Sequence, residues 1–159
     1  MAITAIDQRT PLLRNQLNTT MLQLGGYLNI LIAVGHVVGL FWAEQLFETT
    51  GIGKEMASLA QTHTLLPYLL TLFVAVVFFI FGLYGLSASG KFKKLPYLKP
   101  AVFSIAGIYL LRGFGELIAD KIQGTNSINE TLFSLSALAI GFLFLIGGLK
   151  KRKLTTEIQ

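Results

Sequence analysis

The stretch AVFSIAGIYLLRGFGELI, residues 101–118, decides how this chain folds. It is long enough to cross a bilayer as a helix, for which about 20 apolar residues suffice, yet it contains Arg112 and Glu116. A charged side chain at the centre of a membrane helix costs about 2.5–3.5 kcal/mol, so each of these two residues needs a partner. We interpret the rest of the sequence as membrane anchors, turns and candidate partners for this pair.

The composition is that of a membrane protein. Of the 159 residues, 53% are hydrophobic and 13% are charged, which is about half the charged share of a soluble domain. Apolar runs occur at 22–47, 65–86, 101–118 and 131–149. They predict an all-α integral membrane protein of one domain, with four transmembrane helices in an up-down-up-down bundle. We expect the polar segment 1–21 to form a short interfacial helix or to extend the first membrane helix, and 150–159 to form a basic tail.

The basic residues predict the orientation of the chain, whose net charge is +5. They collect between the second and third apolar runs and directly after the fourth, whereas 48–63 and 119–130 hold few. Such a distribution predicts that both termini are cytoplasmic, in a plasma (cytoplasmic-type) membrane. The same side chains are expected to attract anionic lipid head groups, and their position beside membrane segments argues against nucleic acid as a partner. The basic residues concerned are Lys91, Lys93, Lys94, Lys99, Lys150, Lys151, Arg152 and Lys153.

Polar side chains within the third run form the centre of the candidate site. Tyr109, Arg112 and Glu116 follow one another at intervals of three and four residues, so they share one stripe of a helix. One interpretation is a structural ion pair, in which Arg112 and Glu116 neutralise each other and lock the helix against its neighbours. In the other, the pair lines a cavity where Arg112 and Tyr109 hold an anion and Glu116 or a histidine takes up a proton.

The first two runs add further candidates. Asn29 and His36 are seven residues apart and therefore close to one face of the first helix. The imidazole of His36 needs a hydrogen-bond partner, which we expect to be Asn29 or a residue across the bundle. Glu44 and His63 are expected at the outer ends of the first and second membrane helices. The predicted ligand-binding residues are Arg112, Glu116, Tyr109, His36, Glu44, His63 and Asn29.

The sequence favours a role without catalysis. It contains no cysteine, no serine in a nucleophile-elbow or Ser-x-x-Lys pattern, and no glycine-rich phosphate loop. Imidazole and carboxylate ligands for a metal ion are present, but without any local ligand motif and at different depths. Haem ligation by two histidines is disfavoured by the same difference in depth, so no cofactor is predicted. The weak candidates for a metal site are His36, His63, Glu44 and Glu116.

Three hypotheses about function follow. In the first, a polar pocket in the outer half of the bundle binds or passes a small anionic or amphipathic ligand, or a proton. In the second, the chain is an accessory or assembly subunit of a larger membrane complex, and the Arg112–Glu116 pair is purely structural. In the third, it is a metal- or haem-dependent membrane enzyme. Gly35 and Gly39 have the GxxxG spacing that permits close helix approach, which suits a homo-oligomer or a larger complex and equally suits packing within one subunit.

Overall fold

A computed structural model describes the backbone of residues 2–124 and 128–156, and the side chains of residues 16–122 and 128–149. The described residues form six α-helices and no strand. A 3-10 turn, Leu40–Trp42, joins the first helix to the second. The helices are α1 (Ala2–Gly39), α2 (Ala43–Thr49), α3 (Gly53–Thr62), α4 (Leu66–Ser89), α5 (Leu98–Gln123) and α6 (Ile128–Thr156).

The described chain contains four helical segments that are long and apolar enough to cross a membrane. The first combines most of α1 with the turn and α2, and the other three belong to α4, α5 and α6. The prediction of an all-α chain with four helices of membrane-spanning length is therefore confirmed. The segments are Gln16–Thr49, Leu66–Ser89, Leu98–Ile122 and Ile128–Leu149.

The first membrane-spanning segment differs at both ends from the single helix over residues 22–47 that the sequence predicts. Residues 2–21 continue into α1 without a break, so they extend the membrane helix instead of forming a separate surface helix. At the other end α1 stops at Gly39, and Trp42 takes φ −129° and ψ 48°, outside the helical region. A Cβ atom on Gly39 would lie 2.8 Å from Cδ2 of Leu46, so the Leu46 side chain of α2 packs closely on the end of α1.

Helix α1 holds the bundle together. It packs along α4 over the greatest length and against α6 over a shorter one, while α5 packs along α6. In contrast, α4 and α5 touch over a short stretch only. The fully buried side chains Leu22 and Phe144 lie in the core that these contacts form, together with Ile105 and Ile140.

Glycines set the distance between α1 and α4. A Cβ on Gly85 would lie 2.7 Å from Cα of Gly26, and one on Gly82 would lie 2.9 Å from the Gly26 carbonyl oxygen. The two backbones are thus in direct contact, as small residues permit in membrane helices. The predicted Gly35–Gly39 pair has no part in this crossing, because a Cβ on Gly35 would meet nothing within 4 Å.

Candidate functional site

Arg112 and Glu116 lie in contact on α5. Arg112 Nη2 is 3.0 Å from Glu116 Oε1, and Ser134 Oγ on α6 donates a hydrogen bond to Glu116 Oε2 at 3.0 Å. Both oxygens of Glu116 therefore have partners, one from its own helix and one from α6. The two side chains are nevertheless 53% and 41% exposed, so the pair lies at the surface of the described helices.

Tyr109 belongs to a different environment, the interior of the bundle. Its hydroxyl donates to Asn29 Oδ1 at 2.6 Å, and Asn29 Nδ2 donates to the Gly25 carbonyl oxygen at 2.8 Å. Asn29 and Tyr109 are both buried, and the Phe78 and Phe81 rings pack against Tyr109. This hydrogen bond joins α5 to α1. The structure does not bring Tyr109 and Arg112 together on one ligand, because the hydroxyl is engaged inside the bundle.

His36 finds its partner within α1. Its Nδ1 lies 2.8 Å from the Ile32 carbonyl oxygen and donates to it, because a carbonyl oxygen only accepts. The imidazole also packs against Phe78 of α4, with 5.2 Å between the ring centroids. The expectation that Asn29 or a residue across the bundle would satisfy His36 is therefore wrong. A carbonyl one turn earlier on the same helix does so.

The remaining candidates lie apart from this group. His63 precedes α4, and its Nδ1 accepts a hydrogen bond from the Leu65 N–H at 3.2 Å. Glu44 is exposed in the first turn of α2. Across the described side chains, no three histidines or carboxylates come close enough to hold a metal ion, so the four weak metal candidates are not gathered into one site.

A cavity of about 1130 Å³ lies elsewhere, at the end of the bundle where α4 leads into α5. We call it the basic-end cavity. Its walls come from the last turn of α4, the loop 90–97, the first turns of α5, and one side each of α1 and α6. Leu22, Val102, Phe103 and Gly148 provide apolar wall, and Lys94 and Lys99 lie among the lining residues.

Ser87 fixes the loop that covers this cavity. Its Oγ donates to the Lys93 carbonyl oxygen at 2.8 Å and accepts from the Leu95 N–H at 3.0 Å. Gly90, with φ 81°, ends α4, and the Lys91 N–H then bonds back to the Leu86 carbonyl oxygen at 2.9 Å. A left-handed glycine with such a return bond is a common end of a helix. The loop is therefore held to α4 at two points.

Tyr97 occupies the mouth of the cavity in an unusual conformation. Its φ of 51° and ψ of 31° lie in the left-handed region, which costs a residue with a Cβ about 1–2 kcal/mol. Its carbonyl oxygen accepts from the Ala101 N–H at 3.0 Å, so this conformation starts α5. The side chain is 83% exposed while Tyr97 still contributes to the lining. Strain of this kind is concentrated at functional sites.

The described charged side chains around the cavity are of one sign. No acidic residue occurs in the sequence between Glu55 and Glu116. Among the described side chains, Lys94 and Lys99 form no ion pair with a carboxylate. Their positive charge is therefore not neutralised locally, and it stands beside an apolar wall. Such a cavity suits a molecule with an anionic group at one end and a hydrocarbon portion at the other.

Sequence reasoning missed this cavity, although part of its signal is present. The segment LPYLKP, residues 95–100, combines two prolines with Lys99, and the surrounding residues 56–115 lack any carboxylate. From the sequence alone, the lysines there predict topology and a general attraction to anionic lipid. No feature of the sequence shows that Leu22 and Gly148, which are 126 positions apart, line the same space as this loop.

No protein-family model, curated protein sequence or solved structure matches this chain. The fold defines the class of the protein, a small all-α chain with four helices of membrane-spanning length. Its activity has to be inferred from the geometry of its own sites.

Proposed function

We propose that this protein binds an amphipathic anion in the basic-end cavity. One observation carries the proposal: a cavity of about 1130 Å³ with an apolar wall has two lysines in its lining, and none of the described carboxylates pairs with them. The apolar wall stabilises a hydrocarbon portion by about 0.8 kcal/mol for each buried CH₂ group. The lysines pair with the anionic end by charge-assisted hydrogen bonds.

The proposal keeps the ligand class expected from the sequence and changes its place. The first hypothesis put the ligand beside Arg112, in the outer half of the bundle. Glu116 already has partners for both carboxylate oxygens, and the pair lies at the helix surface, which favours the basic-end cavity as the place of binding. With the up-down-up-down arrangement and both termini in the cytoplasm, the basic-end cavity lies on the cytoplasmic side of a cytoplasmic-type membrane.

Dodecyl phosphate is a suitable probe, because it combines one anionic group with one alkyl chain. The test is a calorimetric titration of protein that has been stripped of lipid in a neutral detergent. The double variant Lys94→Gln with Lys99→Gln is expected to bind at least about tenfold more weakly than the native protein, since each lost charge-assisted contact contributes about 1.5–3 kcal/mol.

A matched control is available in the same loop. Lys91 and Lys93 do not line the cavity, and Lys91→Gln with Lys93→Gln removes the same net charge. This control is expected to retain native affinity. Equal weakening in the two double variants would show a general charge effect and contradict the proposal, as would native affinity in both.

The accessory-subunit hypothesis is the second candidate, and the exposed face of α5 favours it. Arg112 lies there next to Leu111, which is 78% exposed, and Cβ atoms on Gly107 and Gly115 would meet nothing within 4 Å. Charged residues within a membrane span usually face protein or a water-filled space, so a second membrane segment against this face would shield the pair. A partner that co-purifies in mild detergent with the native protein, and is lost with Arg112→Ala in a folded variant, would support this role.

The third role, a metal- or haem-dependent enzyme, stays a hypothesis, because the described side chains include no cluster of three potential metal ligands. Elemental analysis and a visible absorption spectrum of the purified protein test it directly.

A further inference from the structure

Resting on the proposed function, we infer that the ligand of the basic-end cavity is an anionic phospholipid taken from the surrounding bilayer. The bilayer is then the source of the amphipathic anion. A membrane lipid and a soluble amphipathic anion share the same chemistry, an acidic head and a hydrocarbon chain. Three features of the cavity favour the lipid.

The first feature is the size of the cavity. At about 1130 Å³ it exceeds the range of about 300–1,000 Å³ that small-molecule pockets usually occupy. Residues of all four candidate membrane spans line it; Leu22, Ala88 and Val102 are buried behind its surface, and Phe103 and Gly148 are partly exposed. Phe103 and Gly148 belong to membrane spans, so an acyl chain against them would lie along the spans, as it does in the bilayer.

The second feature is the position of the charged groups. Lys94 lies in the loop, and Lys99 is the second residue of α5, so both lysines mark the end of the spans. This is the level of lipid head groups, where basic side chains are attracted to anionic lipid. Exposed Tyr97 stands between the lysines in the sequence, and tyrosine favours this zone of a membrane.

The third feature is that the cavity is open on the side of the loop. Phe92 and Tyr97 line it and are 37% and 83% exposed, whereas Ala88 and Val102 are buried in the core. A lipid therefore has access to the cavity at the end of the spans, the level at which its head group already lies.

The experiment measures lipid bound to the native protein by native mass spectrometry. Protein stripped of lipid is mixed with equal amounts of phosphatidylglycerol and phosphatidylcholine that carry the same acyl chains. We expect one tightly bound phosphatidylglycerol per chain, in clear excess over phosphatidylcholine. In Lys94→Gln with Lys99→Gln, binding of phosphatidylglycerol should weaken about thirtyfold, since each basic side chain near an anionic head group contributes a factor of about five. Lys91→Gln with Lys93→Gln should bind as the native protein does.

Competition separates the lipid source from the proposed function. Dodecyl phosphate is expected to displace the bound phospholipid, and inorganic phosphate is expected to leave it in place. Binding of dodecyl phosphate without preferential binding of phosphatidylglycerol would overturn the phospholipid inference and leave the proposed function standing. Binding of neither probe would overturn both. Equal phosphatidylglycerol binding in the two double variants would mean a lipid at some other surface, and would also overturn the inference.

Discussion

At the scale of single residues, most of the polar side chains in the spans are satisfied locally. His36, Thr71 and Ser136 each donate to the carbonyl oxygen four residues earlier on the same helix. That acceptor is available to any short polar side chain in a helix, so a polar residue in a span does not by itself indicate a functional pocket. Tyr109 and Asn29 are different, because they join two helices inside the bundle.

Tyr109→Phe tests that interhelical hydrogen bond. The substitution removes the donor and leaves Asn29 Oδ1 buried without it, so we expect a loss of about 1 kcal/mol in the free energy of unfolding. The measurement is denaturation of the purified protein with sodium dodecyl sulfate, followed by circular dichroism. Tyr27→Phe is the control, because the Tyr27 side chain is half exposed. Equal stability of the two variants would contradict the structural role of the Tyr109–Asn29 bond.

The sequence predicted the need for such partners but not their identity. Arg112 and Glu116 were assigned to each other from their spacing, and the structure places their charged groups 3.0 Å apart. The spacing within α5 says nothing about α1 or α6, so the bonds from Tyr109 to Asn29 and from Ser134 to Glu116 were not foreseen. Contacts within a helix follow from its period, whereas contacts between helices depend on the rotation of each one in the bundle.

At the scale of helices, packing depends on where backbones touch. Gly26, Gly82 and Gly85 are interspersed among larger apolar residues, and glycine is frequent throughout these spans. The sequence therefore predicted close helix approach without showing which glycines make it. The 3-10 turn at Leu40–Trp42 was missed for a related reason, because Gly39 contacts Leu46, a residue of the following helix.

Gly85→Ala tests the crossing of α1 and α4. The alanine Cβ would lie 2.7 Å from Cα of Gly26. Because that Cα belongs to the backbone of α1, the overlap is relieved only if α1 and α4 move apart. We expect a loss of about 1–3 kcal/mol in the free energy of unfolding, as for other overpacked sites. Thermal unfolding in a neutral detergent provides the measurement.

Gly107→Ala is the matched control for this variant. Gly107 also lies in the interior of a span, but a Cβ there would meet nothing within 4 Å. Alanine is the better helix former by up to about 1 kcal/mol, so this variant should be as stable as the native protein or more so. If Gly85→Ala proved as stable as Gly107→Ala, the close crossing would be excluded.

At the scale of the whole molecule, the placement of the basic-end cavity relative to the cell depends on topology. The chain has no cysteine, so single cysteines report their exposure without interference. Lys54 and Lys93 are both exposed and lie in different connections between spans. In intact cells we expect a membrane-impermeant maleimide to label Lys54→Cys, and to label Lys93→Cys only after permeabilisation. The reverse pattern would place both termini and the cavity on the opposite side of the membrane.

Helix number and class were predictable at this scale because they depend on the length and polarity of continuous segments. The cavity was not predictable, because it is formed where four spans and one loop meet. Its charged rim was visible in the sequence as Lys94 and Lys99, and its apolar wall was not. The pocket expected beside Arg112 and Glu116 stays a prediction, and those residues are not among the residues that line the basic-end cavity.

The most direct test of the central claim is to locate a bound amphipathic anion. Crystals of the protein grown with 12-bromododecyl phosphate allow the bromine to be found by its anomalous scattering. We predict a bromine peak along the apolar wall near Phe103 and Gly148, with the phosphate density between Lys94 and Lys99. A bromine peak beside Arg112 and Glu116, or an empty basic-end cavity in crystals that contain the probe elsewhere on the protein, would contradict the account.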